Sequence, residues 1–417
     1  MGPMNQAQPN VPDPCDCFVP TTLAMKGSGR GVLAELSFVA KDLFAVEGHT
    51  SSFGHAVWRA THSASSTTAP AIRELLDAGA DLVGLTKMDQ LAYSLIGDVG
   101  EGKPPLNSVD PSLYCGGSSS GSASAVAGGL ADFALGTDTA GSVRVPAAVC
   151  GLVAIRPTHG SISSDGVLPL APSFDVAGLF AANVATLDSA LAVLASGFHR
   201  RSHPVRLRIA SDTFAMVDRE SARLGREVAE LAATLTGIPL EEVAFSGFTD
   251  SDTGDLFARL QGREIWHQHA EWVEANGGAL AEDVRRRLER CKQLSQSSDE
   301  DRLADLAGHR EFRDRFDEAV PPGTVVVLPI IPRHGPKRAW SLQELVEFRT
   351  DCFRLIAPAS LSGAPQAVWS VRGASGRSVG IGLLAAPGDD YLLLDLMARL
   401  GGGSAEIGDR FGPPGLA

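Results

Sequence analysis

A chain of 417 residues, 44% hydrophobic and 20% charged, can bury a large core as one big α/β domain or as two or three average ones. Its formal net charge of −13 excludes the basic face of a nucleic-acid-binding surface. No run approaches the ~20 apolar residues of a membrane-spanning helix, and Met1–Val19, broken by Pro3, Pro9, Pro12 and Pro14, lacks the basic and apolar segments of a signal peptide.

The chain opens with an irregular arm, residues 1–20. Gly27–Gly31 reads as a turn before a short apolar strand, Leu36–Ala40, which ends at Lys41. A lone lysine among apolar neighbours either snorkels from the strand end or stays buried. If buried, desolvation lowers its pKa and makes it a base at neutral pH. Thr67–Ala78 has helical periodicity, with Ile72, Leu75 and Leu76 on one face, and Ala80–Leu85 reads as a strand. Lys87, just beyond it, reads as a solvated or substrate-tuning residue.

The stretch Cys115–Ser161 carries the chemistry. Two loops of serine and glycine, Gly116–Gly121 and Gly136–Ser142, flank a small-residue helix, Ser122–Leu130, and a short buried strand, Ala131–Leu135. Small residues let backbone N–H groups approach an anion or an oxyanion closely. A P-loop is excluded because neither loop ends in Gly-Lys-Ser/Thr. Gly117-Ser118-Ser119-Ser120-Gly121 matches a nucleophile elbow with Ser119 central, but a loop containing Pro104, Pro105 and Pro111 precedes it where an elbow needs a strand. The other candidate is Ser142, with the amides of Thr139 to Ser142 able to curl around a developing oxyanion.

Leu152–Arg156 reads as a strand, Asp165–Asp175 as a loop and Leu187–Ala195 as an amphipathic helix, followed by a polar connection over residues 197–204. Strands Leu207–Ser211 and Glu241–Phe245 bracket a helix, Glu220–Leu235. Asp250–Val320, the most charged region, holds helices at Leu256–Asn276 and Leu280–Gln296. Strand Gly323–Ile331, helix Leu342–Phe353, strands Ala367–Val371 and Val379–Ala385, and helix Asp389–Leu400 complete the chain before a loose tail, residues 401–417. The six cysteines are too scattered for a disulfide framework, and reduced thiols are expected. His267 and His269 stand at i and i+2, which do not share a helix face, so no metal pair is expected there.

Several of these stretches together resemble the amidase signature family. They are Gly116-Gly117-Ser118-Ser119, then Gly136-Thr137-Asp138-Thr139-Ala140-Gly141-Ser142-Val143-Arg144-Val145-Pro146, then Cys150-Gly151 and Arg156-Pro157-Thr158. Arg156 stands where the family usually has Lys, and Ala140 where it usually has Gly. Val39-Ala40-Lys41-Asp42 through Gly48 is similar to the stretch that carries the family's catalytic lysine, and the resemblance runs from Leu33 to Leu400. It implies an α/β fold: one large mixed, twisted β-sheet covered by helices on both faces. That fold would be a single domain over residues 1–417, with a core at 21–400 and a variable helical region at about 246–320.

The resemblance also implies roles. Ser142 becomes the nucleophile, Lys41 the base, and Ser118, 24 residues before Ser142, the bridging serine after a cis Gly117–Ser118 peptide. The amides of Thr139, Ala140, Gly141 and Ser142 would hold the oxyanion. Asp138 and Arg144 would brace the loop, and Gly117 and Ser119 would support the relay. Tyr93, Phe174 and Asp175 are expected near the substrate, with Trp266 and Trp272 as candidate pocket residues. The implied reaction is hydrolysis of a small or arylalkyl primary carboxamide, with no cofactor and no metal. Other members act on urea-like carboxamides or serve as amidotransferase A subunits. Some are non-catalytic scaffolds lacking the nucleophile, whereas Lys41, Ser118 and Ser142 are all present here. The expected partner is a small-molecule amide, not nucleic acid or a membrane. A homodimer is compatible with the resemblance, and the cytoplasm is the expected compartment.

Overall fold

Ten strands form one sheet in the computed structural model, which describes residues 12–195, 197, 203–374 and 376–402. They are β1 (Ser37–Lys41), β2 (Asp81–Thr86), β3 (Phe133–Thr137), β4 (Val153–Arg156), β5 (Ala177–Ala181), β6 (Arg206–Ala210), β7 (Leu240–Val243), β8 (Thr324–Pro329), β9 (Gln366–Arg372) and β10 (Ser378–Ala385). Their spatial order is β2-β1-β3-β5-β4-β9-β10-β8-β6-β7. The flanks are parallel, β1 with β2 and β3, and β6 with β7 and β8, while every pair between β3 and β8 is antiparallel.

The helices begin with α1 (Ala56–Thr61), α2 (Pro70–Asp77), α3 (Ser120–Ala127), α4 (Arg144–Cys150), α5 (Val184–Leu194) and α6 (Arg219–Thr236). Then come α7 (Ser246–Thr249), α8 (Ser251–Asn276), α9 (Glu282–Ser295), α10 (Asp299–Ala319), α11 (Leu342–Ser362) and α12 (Asp390–Gly402). Strands β3, β4, β5, β8 and β10 are buried at every residue, which requires helices on both faces of the sheet. One pair, α3 and α4, packs together against the sheet, and α5 and α12 form a second pair. Helices α8 to α11 pack on one another as a separate group.

Several elements differ from the sequence reading. Helix α4 was not anticipated because Pro146 sits in it, but this is its first turn, where a missing N–H leaves no bond unmade. Strand β5, Ala-Gly-Leu-Phe-Ala, is too small in its side chains to stand out from the preceding loop. Helix α10 buries only Asp305, Phe312 and Phe316, too few apolar residues to show a stripe, although its Ser298/Asp301 capping box was readable. Helix α11 continues past Phe353 through Pro358 to Ser362.

The arm is not irregular throughout. Phe18 bridges to Thr86, and the Val19 N–H donates to the Leu85 carbonyl at 3.0 Å, so residues 12–20 cover the edge strand β2. Residues 1–11, most of the polar connection at 197–204 and the tail beyond Gly402 lie outside the described residues.

Candidate active site

Parallel strands β1 and β3 end side by side, so Lys41 and Thr137 meet at the carboxyl end of the sheet, where open α/β sheets place their ligands. Lys41 is fully buried. Its Nζ lies 2.7 Å from Ser118 Oγ and donates to Thr137 Oγ1 at 2.9 Å. Burial lowers its pKa to about 7, against the opposing pull of Asp89, Asp138 and Asp175. The Gly117–Ser118 peptide is cis. Ser119 Oγ donates to the Thr137 carbonyl at 3.3 Å, tying the serine loop to the end of β3. The Asp89 N–H donates to the Ser118 carbonyl at 3.2 Å, and the Asp89 carboxylate accepts from the amides of Gly97 and Val99. Thr137 was not anticipated as a partner of the lysine, although its place in the Gly-Thr-Asp run was an available signal.

The second loop is shaped by one carboxylate. Asp138, fully buried, accepts from the amides of Gly141 (2.8 Å), Val143 (3.1 Å) and Arg144 (3.2 Å) at the start of α4. It also pairs with the guanidinium groups of Arg144 (2.8 Å) and Arg156 (3.4 Å). Those cations and amides hold its pKa well below the usual carboxylate range despite burial. Arg156 thus takes part in the brace, at the position where a lysine was expected.

The Gly141 amide is therefore spent on Asp138 and does not face an oxyanion, contrary to the sequence expectation. The amides of Thr139, Ala140 and Ser142 have no partner among the described residues and are free to donate to a ligand.

Ser142 opens onto a cavity of about 300 Å³, also lined by Tyr93, Leu95, Ala140, Leu170 and Phe353. Phe174 does not line it; the ring is buried edge-on against Phe257 at 5.1 Å. Asp175 is also absent from the wall. It accepts from Thr139 Oγ1 at 2.5 Å and from the amides of Leu170 and Ala171, so it holds the nucleophile loop in place. Trp266 lies under Lys292, and Trp272 Nε1 donates to Thr61 Oγ1, so neither tryptophan reaches the cavity. Lys87 is ion-paired with Asp16 at 2.5 Å, away from the site. His269 bonds the Pro169 carbonyl, and burial lowers its pKa to about 4. Among the described residues no group of three or more His, Cys, Asp or Glu is arranged to hold a metal, and the six cysteines are free and buried.

A buried amine beside a buried serine, with a second serine and three unpaired amides at a cavity, is an arrangement able to support acyl transfer. The Amidase family model matches residues 21–394. Amidase 1 of Oryza sativa subsp. japonica is 32% identical over 91% of this chain and 97% of its own length. Amidase 1 of Arabidopsis thaliana is 32% identical over 88% and 93% respectively. A solved structure described as the crystal structure of an amidase superposes with a TM-score of 0.77 at 27% identity, covering 89% of this chain and 85% of that one. The chain belongs to the amidase family and is an amide-hydrolysing enzyme.

Proposed function

We propose that the protein hydrolyses a small or arylalkyl primary carboxamide to its carboxylate and ammonia, through an acyl-enzyme on Ser142. The observation that carries this reading is the fully buried Lys41, 2.7 Å from Ser118 Oγ and with a pKa lowered to about 7. A neutral amine there accepts the Ser118 proton while Ser118 Oγ accepts that of Ser142. Ser142 Oγ bonds to the amide carbon, and the carbonyl electrons move onto oxygen, where the Thr139, Ala140 and Ser142 amides meet them. The relay then runs backwards. Lys41 returns its proton to Ser118, Ser118 passes one to the nitrogen, the C–N bond breaks and ammonia leaves. Water repeats the cycle on the ester and frees the carboxylate.

The mostly apolar wall and modest volume of the cavity favour a compact acyl group, at the small end of the roughly 300–1,000 Å³ range of ligand sites. The test is ammonia release from indole-3-acetamide, phenylacetamide, benzamide, short aliphatic amides and biuret. Wild type is compared with Ser142→Ala and Lys41→Ala. Turnover that disappears in both variants supports the relay, whereas activity surviving in Ser142→Ala rejects it and returns Ser119 as the nucleophile. Turnover of biuret alone would move the substrate to the urea-like class.

A further inference from the structure

Three arginines, Arg287, Arg349 and Arg354, are among the residues that line the cavity holding Ser142. Asp283 organises two of them: it is ion-paired with Arg287 and lies 3.2 Å from Arg349 Nη1. Arg287 is fixed further by donating to the Tyr93 carbonyl at 2.5 Å and by standing over the Tyr93 ring at 5.2 Å. Arg349 commits only Nη1, and Arg354 only Nε, to the Thr249 carbonyl at 3.1 Å. Arg349 Nε and Nη2 therefore have no protein partner among the described residues, and this edge of a guanidinium matches a carboxylate. Two other acids bear on this wall: Asp255, exposed to water, and Asp98, half-buried and acting on Arg287.

Helix α11 sets the spacing. The Ile356 carbonyl accepts from Arg144 Nη1 at 2.8 Å, and the Ile356 side chain lies where a Cβ on Gly141 would stand, so this turn abuts the nucleophile loop. Phe353 and Arg349 lie three and seven residues earlier, on the same helix face. At 1.5 Å per residue, Phe353 is about 4.5 Å and Arg349 about 10 Å from that turn along the axis. The wall thus runs from oxyanion donors, through an apolar stretch, to a cation with spare donors.

We infer that the acyl group of the substrate carries a carboxylate, separated from the scissile amide by one aryl ring or a short alkyl chain, and that Arg349 binds it. The spacer lies along Phe353 and Tyr93, and Asp283 positions Arg349. The inference rests on the amidase reading and narrows its substrate.

Three substrates of one shape test it: phenylacetamide, 4-(carbamoylmethyl)benzoate and the methyl ester of the latter. The carboxylate compound is expected to exceed both neutral ones in kcat/KM by about tenfold or more, chiefly through KM, as a charge-assisted contact would give. Arg349→Gln should collapse the ratio of kcat/KM for the carboxylate compound to that for phenylacetamide towards one, and Arg349→Lys should restore part of it. Turnover of phenylacetamide with no preference for the carboxylate in the wild type would overturn this inference and leave the amidase reading standing. So would a preference that persists in a folded Arg349→Gln. Failure to hydrolyse any of the three, or any amide of the wider panel, would overturn both.

Discussion

Lys41 Nζ and Ser118 Oγ stand 2.7 Å apart, and neither residue is exposed. The charge on the lysine is decided by the desolvation that burial imposes, set against the pull of Asp89, Asp138 and Asp175. Protonated Lys41 cannot accept from Ser118. The sign follows: kcat/KM rises with pH as Lys41 deprotonates, with an apparent pKa near 7 in place of the ordinary 10.5. The folded value lies below the unfolded one, so burial of this lysine costs stability below about 7, and the cost fades as pH rises from there towards 10.5. A pH–rate profile from 5 to 9 checks this, and a flat profile would remove Lys41 as the base.

Asp138 carries the opposite sign. Its carboxylate joins Arg144 and Arg156, all three fully buried, while holding three amides at the head of α4. Replacing it by Ala leaves two buried cations without a counter-charge, an expected loss of about 3–5 kcal/mol. Because its folded pKa is depressed, its contribution is present above the unfolded value of 3.8 and is lost as pH falls through the folded one. Urea unfolding at pH 7 and pH 3 measures both effects. An Asp138→Ala protein as stable as the wild type at pH 7 would show that α4 is held by other contacts.

The two glycine and serine runs were legible as loops able to hold an anion, but the residues alone left Ser119 and Ser142 both open as nucleophile, and only the family resemblance chose between them. Lys41 was legible as a lysine closing an apolar strand, although only the family resemblance separated a base from a snorkelling side chain. The fate of the Gly141 amide was not legible, since it depends on which carboxylate folds back on the loop. Phe174 and Asp175 were expected near the substrate because the family resemblance puts their loop beside the site. Whether a residue lines a cavity or supports its wall depends on side-chain direction, which sequence adjacency does not encode. The α10 helix was missed for a simpler reason: a helix with three buried residues has almost no periodic signal.

Gly117 is required for lack of space. A Cβ there would stand 2.0 Å from Asp89 Oδ2 and 2.8 Å from the Gly97 nitrogen. Gly117→Ala must push apart the Asp89 carboxylate and the serine loop that carries Ser118. The expected outcome is a loss of about 1–3 kcal/mol of stability and of at least tenfold in kcat. Gly247→Ala is the control, because nothing lies within 4 Å of its Cβ and no positive φ is recorded there. Equal thermal unfolding and equal turnover of the two variants would show that the loop yields to the methyl group.

Thr139 and Asp175 form the last coupled pair. Thr139 Oγ1 donates to Asp175 Oδ1 at 2.5 Å, and the same carboxylate accepts from Leu170 and Ala171, which tethers the oxyanion loop to the segment that supplies Leu170 to the cavity. Thr139→Val keeps the shape of the side chain and removes the tether. Asp175→Ala removes it from the other end. Each should lower kcat by about tenfold through misplacement of the Thr139 and Ala140 amides, with little change in KM for a small amide. If the tether is the shared cause, the double variant loses scarcely more than the worse single one. Fully additive losses in this cycle would mean that Asp175 and Thr139 act on turnover independently, and Asp175 would then be a prop for residues 165–175 alone.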